Sequence, residues 1–258
     1  MPIHPTAVVN PQAKIASTAD IGPYCVIGPE VEIASGTRLM AHIFVEGPTW
    51  IGIDNIFYPF SSIGAAPQDL KYKGERAETR IGDRNIIREF VTVHRGTEAG
   101  GSLTSVGNDI LLSAYSHVAH DCTIGNQVVL SHGATLGGHV TVEEWAVVGA
   151  GSAVHQFCRV GKHSMIGGYS VITQDVLPYS MTVTDRESRV FGANRVGLER
   201  RGFAPESIES LQKAFRLLTR SELNTRQAIE RIQIDVASTP ELDDLMGFIA
   251  TSERGFVK

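Results

Sequence analysis

His94, His117, His120, His139 and His155 fall in one stretch of this chain, and Asp121 directly follows His120. Imidazole titrates near neutrality, so a gathered set can take a proton from a hydroxyl, hydrogen-bond a substrate or ligate a metal. A neighbouring carboxylate can orient or polarise the base. An isolated surface histidine does none of this, so the chemistry depends on whether the fold collects these residues. Thiol chemistry is not indicated: Cys25, Cys122 and Cys158 are scattered, with no CxxC pair, as expected in a reducing compartment.

What must position the histidines is a six-residue repeat. An aliphatic or aromatic residue leads each hexad from Ile3, Val9 and Ile15 to Phe57 and Ile63. The count resumes at Ile81, Ile87 and Val93, and again from Val106 to Ile166 and Ile172. Neither the helical period of 3.6 nor the strand period of 2 gives this spacing. It marks a parallel β-helix, with three hexads to a coil, leaders pointing inward and Gly, Asn or Asp at the corners. Val118, Leu136 and Val154 then share one face on consecutive coils. His120, His139 and His155 follow them, which predicts a file of imidazoles spaced by about 4.8 Å per coil. His94, after Val93, joins the file if the intervening insertion keeps the face. His117 lies at the corner leading into it.

Two segments break the count, at about 64–80 and 98–105, and must leave the coil as surface loops, often on the binding side. Past Pro178 the hexads stop. Residues 190–256 read as helices: Ile208, Leu211, Phe215 and Leu218 share one face. Asn224 with Gln227 and Ser238 with Glu241 have capping-box spacing, and Pro240 suits a first helical turn. The expected architecture is mainly β: a parallel β-helix over 1–178, then a small α-helical domain over 179–258. Net charge is −5, which gives no global reason to expect nucleic acid. No apolar run approaches the roughly 18 residues of a membrane span. The N-terminus lacks the pattern of a signal peptide, so a cytoplasmic protein is expected.

Several segments together resemble the acyl carrier protein-dependent UDP-N-acetylglucosamine O-acyltransferases that begin lipid A biosynthesis, within the hexapeptide-repeat acyltransferases. They are Gln68-Asp69-Leu70-Lys71-Tyr72, His94-Arg95-Gly96-Thr97, His117-Val118-Ala119-His120-Asp121-Cys122, His155-Gln156-Phe157-Cys158 and Arg200-Arg201-Gly202-Phe203. The resemblance covers essentially the whole chain. It implies a left-handed coil, a homotrimer with sites between adjacent β-helices, and transfer of a (3-hydroxy)acyl chain from acyl carrier protein to the glucosamine 3-position, with no cofactor beyond the phosphopantetheine arm of the donor.

By the same resemblance His120 is the general base, Asp121 its partner, and the backbone N–H of Gly138 the oxyanion donor. Asp69, Lys71, His94, His117, His139, His155, Gln156, Asn194 and Arg200 correspond to substrate contacts, and Gly168 to the end of the acyl groove, a ruler for chain length. Arg201, Lys213, Arg216 and Arg220 form a basic cluster suited to the acidic carrier protein. The segment Thr184-Asp185-Arg186-Glu187-Ser188 departs from the family's usual Gly-Asn run, so nucleotide contacts there are not carried over. The acceptor could equally be the 3-amino analogue of the UDP-sugar. A related N-acyltransferase of the same pathway usually carries an N-terminal uridine-binding domain, for which hexads starting at Ile3 leave no room. A hexapeptide-repeat carbonic anhydrase, holding zinc through three histidines, is the remote alternative. It leaves the QDLKY and RRGF segments unexplained.

Overall fold

The computed structural model describes residues 3–184, 188–220 and 222–257. The hexads wind into a left-handed parallel β-helix with three faces. Face one has nine strands, running from Val8–Val9 through Thr92–His94, His117–Val118, Thr135–Leu136 and Ala153–Val154 to Val171–Ile172. Face two has eight, from Lys14–Ile15 to Arg159–Val160. Face three has ten, starting at Asp20–Ile21.

Most strands are only two residues long because the second is the hexad leader and the chain must then turn. Beyond the first strand, the leaders of face one, Ile27, Val45, Ile63, Val93, Val118, Leu136, Val154 and Ile172, are between 0 and 2% exposed. Stacked every coil, they fill the prism with branched side chains that suit a narrow pleated interior. The turns require left-handed backbone. At the corner from face one to face two, Asp121, His139 and Phe157 hold φ of 60°, 62° and 66°. Non-glycine residues pay strain there. The hydrogen bonds of the coils above and below hold them in place, as in Phe157 N–H to Gly138 O at 3.0 Å.

The insertions keep the coil in register. Val93 pairs with Ile63 and with Val118, so His94 lies on the same face as His117. Strands Ser62–Ala65 and Glu78–Ile81 shorten the first loop to 66–77, and strands Thr92–His94 and Leu103–Val106 bound the second at 95–102. Both loops leave from the corner between faces one and two, the corner that carries Asp121, His139 and Phe157.

Beyond Leu177 a second apolar cluster begins, containing Leu198, Leu211, Phe215, Leu218, Leu245 and Phe248. The helical reading of 190–194 is corrected here. Ser180–Thr184 and Ser188–Ala193 are antiparallel strands, and the first pairs with Met165–Ile166 to extend face three. The hairpin covers an end of the sheet that would otherwise expose unpaired backbone. Four helices follow: α1 (Arg195–Arg200), α2 (Pro205–Arg220), α3 (Thr225–Asp235) and α4 (Pro240–Ala250). Asn224 and Gln227 form the capping box of α3. At α4 the cap is Thr239, whose hydroxyl accepts from Leu242 N–H, and Ser238 instead donates to Asp243. Helix α4 is clamped to the coil: the Tyr179 hydroxyl donates to Asp244 at 2.7 Å, Lys162 pairs with the same carboxylate, and Arg159 lies 4.2 Å over the Phe248 ring.

Candidate active site

The site grows from one corner of the coil. Asp121 sits at the positive-φ position with its side chain fully buried. Oδ2 accepts a hydrogen bond from His120 Nδ1 at 2.7 Å and another from the Thr97 hydroxyl at 2.6 Å, while Oδ1 accepts from Thr97 N–H at 2.8 Å. A carboxylate on Nδ1 selects the imidazole tautomer that leaves Nε2 with a free lone pair.

The His120 ring lies directly on Gly138, one coil on. A Cβ there would fall 2.5 Å from His120 Cε1 and 2.7 Å from Nε2, so only glycine admits the ring in this place. Gly138 N–H donates to no protein acceptor among the described residues. A lone-pair base and an unspent amide donor therefore stand side by side, which is what attack of a hydroxyl on a carbonyl carbon requires.

The expected file of three imidazoles needs correction. Coils repeat every eighteen residues through this stretch, so the stacked files are Asp121–His139–Phe157 and His120–Gly138–Gln156. His120 meets His139 edge-on with centroids 5.1 Å apart, and His139 stacks flat on Phe157 at 4.3 Å. His155 falls one position earlier. It is exposed, and its Nδ1 lies 3.1 Å from Gln156 O, so it does not join the cluster. Phe157, not anticipated, takes its place. Counting eighteen from Asp121 would have found it.

His94 and His117 meet edge-on at 4.9 Å and extend the cluster along face one. Burial, with His117 and His120 nearby, pushes His94 down to about 4. Burial and His120 also lower His117, whose Nδ1 lies 2.7 Å from the Thr92 hydroxyl. Burial holds His139 below the usual imidazole range against the opposing pull of Asp121. These three are hydrogen-bonding groups that stay neutral near pH 7. Burial pushes the Cys122 thiol up to about 12 and Cys158 to about 11, so neither offers a thiolate nucleophile.

The loops wall the site. Asp69, Lys71 and Tyr72 on the first face Thr97, Glu98 and Ala99 on the second across a cavity of about 650 Å³.

Relatives match along the full length of the chain. The acyl-[acyl-carrier-protein]–UDP-N-acetylglucosamine O-acyltransferase of Thermodesulfovibrio yellowstonii is 45% identical over 256 residues, covering 99% of each chain. This chain belongs to that acyltransferase family. The Syntrophobacter fumaroxidans member is 44% identical over 258 residues, 100% of each chain. LpxA of Acinetobacter baumannii, a solved structure, superposes with a TM-score of 0.95 at 41% identity, covering 100% of both chains. Residues 175–257 match the family described as Udp N-acetylglucosamine O-acyltransferase, Domain 2, and residues 104–138 match the bacterial transferase hexapeptide family.

Within this acyltransferase, two of the expected contact residues, Asn194 and Arg201, make intrachain contacts. Asn194 caps α1 by accepting from Gly197 N–H, and its amide donates to His163 O at 3.2 Å, which ties the helix to the coil. Arg201 is half-buried. Its guanidinium lies 5.2 Å over Trp145 and donates to Trp145 O, so it is not part of an exposed basic face. Lys213 is exposed but paired with Glu209 at 2.8 Å. Arg200 and Arg216 are exposed. The side chain of Arg220 lies outside the described residues, as do residues 185–187 of the divergent segment. Gln156 is exposed at the corner above Gly138. Gly168 stands at an exposed corner between faces three and one; the nearest atom to an added Cβ would be Ala150 O at 3.3 Å.

Proposed function

We propose that this chain transfers a (3-hydroxy)acyl group from acyl carrier protein to the glucosamine 3-hydroxyl of UDP-N-acetylglucosamine, the first step of lipid A biosynthesis, with His120 as base. The observation that carries the reading is the His120 ring, oriented by a buried carboxylate and laid against the free amide of Gly138. Nε2 takes the proton of the sugar hydroxyl as its oxygen bonds to the thioester carbon. The Gly138 N–H faces the oxygen that becomes negative. The C–S bond then breaks, and the imidazolium returns its proton to the departing thiolate. A thiol with a pKa of about 8.5 leaves with little acid assistance. Transfer is direct, without an acyl-enzyme, in keeping with the buried, protonated cysteines.

No cofactor is required, because base and oxyanion donor both come from the chain. His120, Asp121 and His139 are the one group among the described residues whose donor atoms lie close enough for a metal. The shared Asp121 oxygen already accepts from His120 and Thr97, so the donor set suits a hydrogen-bonded dyad better than a zinc centre. Asp69 and Lys71 on the loop cavity, with His94, His117 and His139 on the coil, bind the sugar nucleotide. His155, Gln156 and Arg200 contact substrate further along, and the carrier protein docks on a basic surface that includes the exposed Lys213 and Arg216. Assaying UDP-N-acetylglucosamine and its 3-amino analogue with a panel of acyl carrier protein thioesters tests the reading. Failure to acylate the hydroxyl sugar, with transfer to the amino sugar, would move the chain to amide formation.

Gly168 sets the acyl length. With room beyond Ala150 O for a side chain, Gly168→Met should fold normally and shift preference to a shorter chain. Competition between donors of different length reads this directly, and an unchanged ranking removes the ruler.

The chain works as a cytoplasmic homotrimer. Support comes from an aromatic ridge on the corner between faces three and one. Tyr24, His42, Phe60, Phe90 and Tyr115 stack with centroids 4.8–5.1 Å apart, and Phe60 and Phe90 are 51% and 43% exposed. A continuous exposed apolar strip of this kind marks an interaction surface. Phe60→Glu with Phe90→Glu should lower the mass measured by light scattering to that of one chain. An unchanged mass would place the subunit contact elsewhere.

A further inference from the structure

We infer that Thr97 is a positioning residue for the His120–Asp121 pair, and that the second insertion, residues 95–102, is built as a lid over the Asp121 carboxylate. The inference rests on the reading of His120 as base. It comes from what the loop does to a single side chain.

The Asp121 carboxylate is buried, and no lysine or arginine pairs with it among the described residues. A buried anion without a cation is costly unless hydrogen bonds satisfy its oxygens. Thr97 supplies two of the three that reach it, one from its backbone and one from its hydroxyl. The third comes from His120. The backbone of Asp121 is held by the strand that follows the insertion, its N–H donating to the Thr104 hydroxyl at 2.7 Å.

Two glycines let the loop come this close. A Cβ on Gly100 would lie 2.0 Å from Asp121 Cγ, and one on Gly96 would lie 2.9 Å from Asp121 Oδ1. Gly96 and Gly100 are thus seats for the carboxylate. The loop is also firmly moored. The Thr97 carbonyl accepts from Gly100 N–H at 3.0 Å and Ser102 N–H at 2.8 Å. Arg95 at its base donates to Gly64 O at 2.8 Å and pairs with Glu46.

Sharing Oδ2 between the Thr97 hydroxyl and His120 Nδ1 has a chemical consequence. The hydroxyl fixes the rotation of the carboxylate, and so the aim of the imidazole. It also takes up part of the negative charge that would otherwise act wholly on the ring. Without it the carboxylate stabilises the imidazolium more strongly, and the ring is held less firmly. Other groups facing His120 are His139 from the next coil and His94 and His117 from face one, while Asp69 acts on His139 from the first loop. Thr97→Val changes none of these.

The test compares wild type, Thr97→Val, Thr97→Ser, Gly100→Ala and His120→Ala, each as the full chain, by steady-state kinetics across pH and by NMR titration of the His120 imidazole. For Thr97→Val, kcat should fall about tenfold or more with KM for the sugar nucleotide little changed. The acid limb of kcat/KM and the NMR midpoint should both move to higher pH. Thr97→Ser should restore both. Gly100→Ala, whose methyl pushes the lid off the carboxylate, should move the midpoint the same way, and it carries the test if Thr97→Val does not fold. An active His120→Ala would remove the base and this inference with it. An inactive His120→Ala beside a Thr97→Val with the wild-type midpoint would overturn the lid alone. So would a fall in kcat that serine does not rescue.

Discussion

His120→Ala should leave the fold and sugar-nucleotide binding intact while lowering kcat by about 10²- to 10⁴-fold, the range expected for loss of a general base. The selectivity of the loss follows from where the ring sits. It lies outside the aliphatic prism, against Gly138 and His139, so its removal opens no cavity among the hexad leaders. No neighbour can take over. His94 is buried and pushed to about 4, and a base that weak accepts a proton poorly from a sugar hydroxyl. His139 is held below its ordinary range, and its Nε2 lies 3.8 Å from the Asp121 oxygen without the shared short bond that orients His120. Single-turnover rates with a saturating acyl carrier protein thioester, alongside calorimetric binding of the sugar nucleotide, separate chemistry from affinity. Turnover within a few-fold of wild type would assign the base elsewhere.

The architecture was readable because a β-helix repeats one local rule. Each hexad leader points inward regardless of its distant neighbours, so Val118, Leu136 and Val154 stack by counting alone, whereas only the strand pairing shows that Ile63, Val93 and Val118 keep one face across both insertions. The site was less legible because catalysis depends on the outward residues, whose stacking needs registration to a single position. Faces placed His120 and His139 together. Only the eighteen-residue register puts His120 on Gly138, and Phe157, rather than His155, on His139. Thr97 escaped altogether. Its partner Asp121 is twenty-four residues away across a loop whose path no periodicity constrains, and the Gly96 and Gly100 spacing was the one trace of it in the sequence.

In the helical domain the difficulty was different. Asn194 and Arg201 are polar residues near a helix end, and sequence does not distinguish a group that caps or packs from one that waits for substrate. The strand pair Ser180–Thr184 and Ser188–Ala193 was missed because it has lost the six-residue period but still pairs with face three, continuing the coil by hydrogen bonds instead of by hexads.

Adjacent glycines at 137 and 138 give the second large effect, because adding one methyl at each should do opposite things. At Gly138 the methyl would fall 2.5 Å and 2.7 Å from two atoms of the His120 ring. A side chain can swing aside, so the coil survives and the base does not stay. We expect Gly138→Ala to keep its melting temperature within a few degrees and to lose about 10²-fold or more in kcat, since a displaced base loses the near-attack geometry that makes it effective. At Gly137 the methyl would lie 2.7 Å from the backbone N of Gln156 and 3.2 Å from its Cα. Backbone in the middle of a stacked coil has nowhere to go. Gly137→Ala should therefore cost stability first, on the order of 2 kcal/mol or several degrees of melting temperature for a chain of this length. Calorimetry and kcat measured on the two proteins side by side check the contrast. A Gly138→Ala enzyme with wild-type kcat would mean that the reacting sugar does not meet His120 in the position the ring now occupies. A Gly138→Ala protein that melts early while keeping its turnover per folded molecule would make that glycine a packing residue and nothing more.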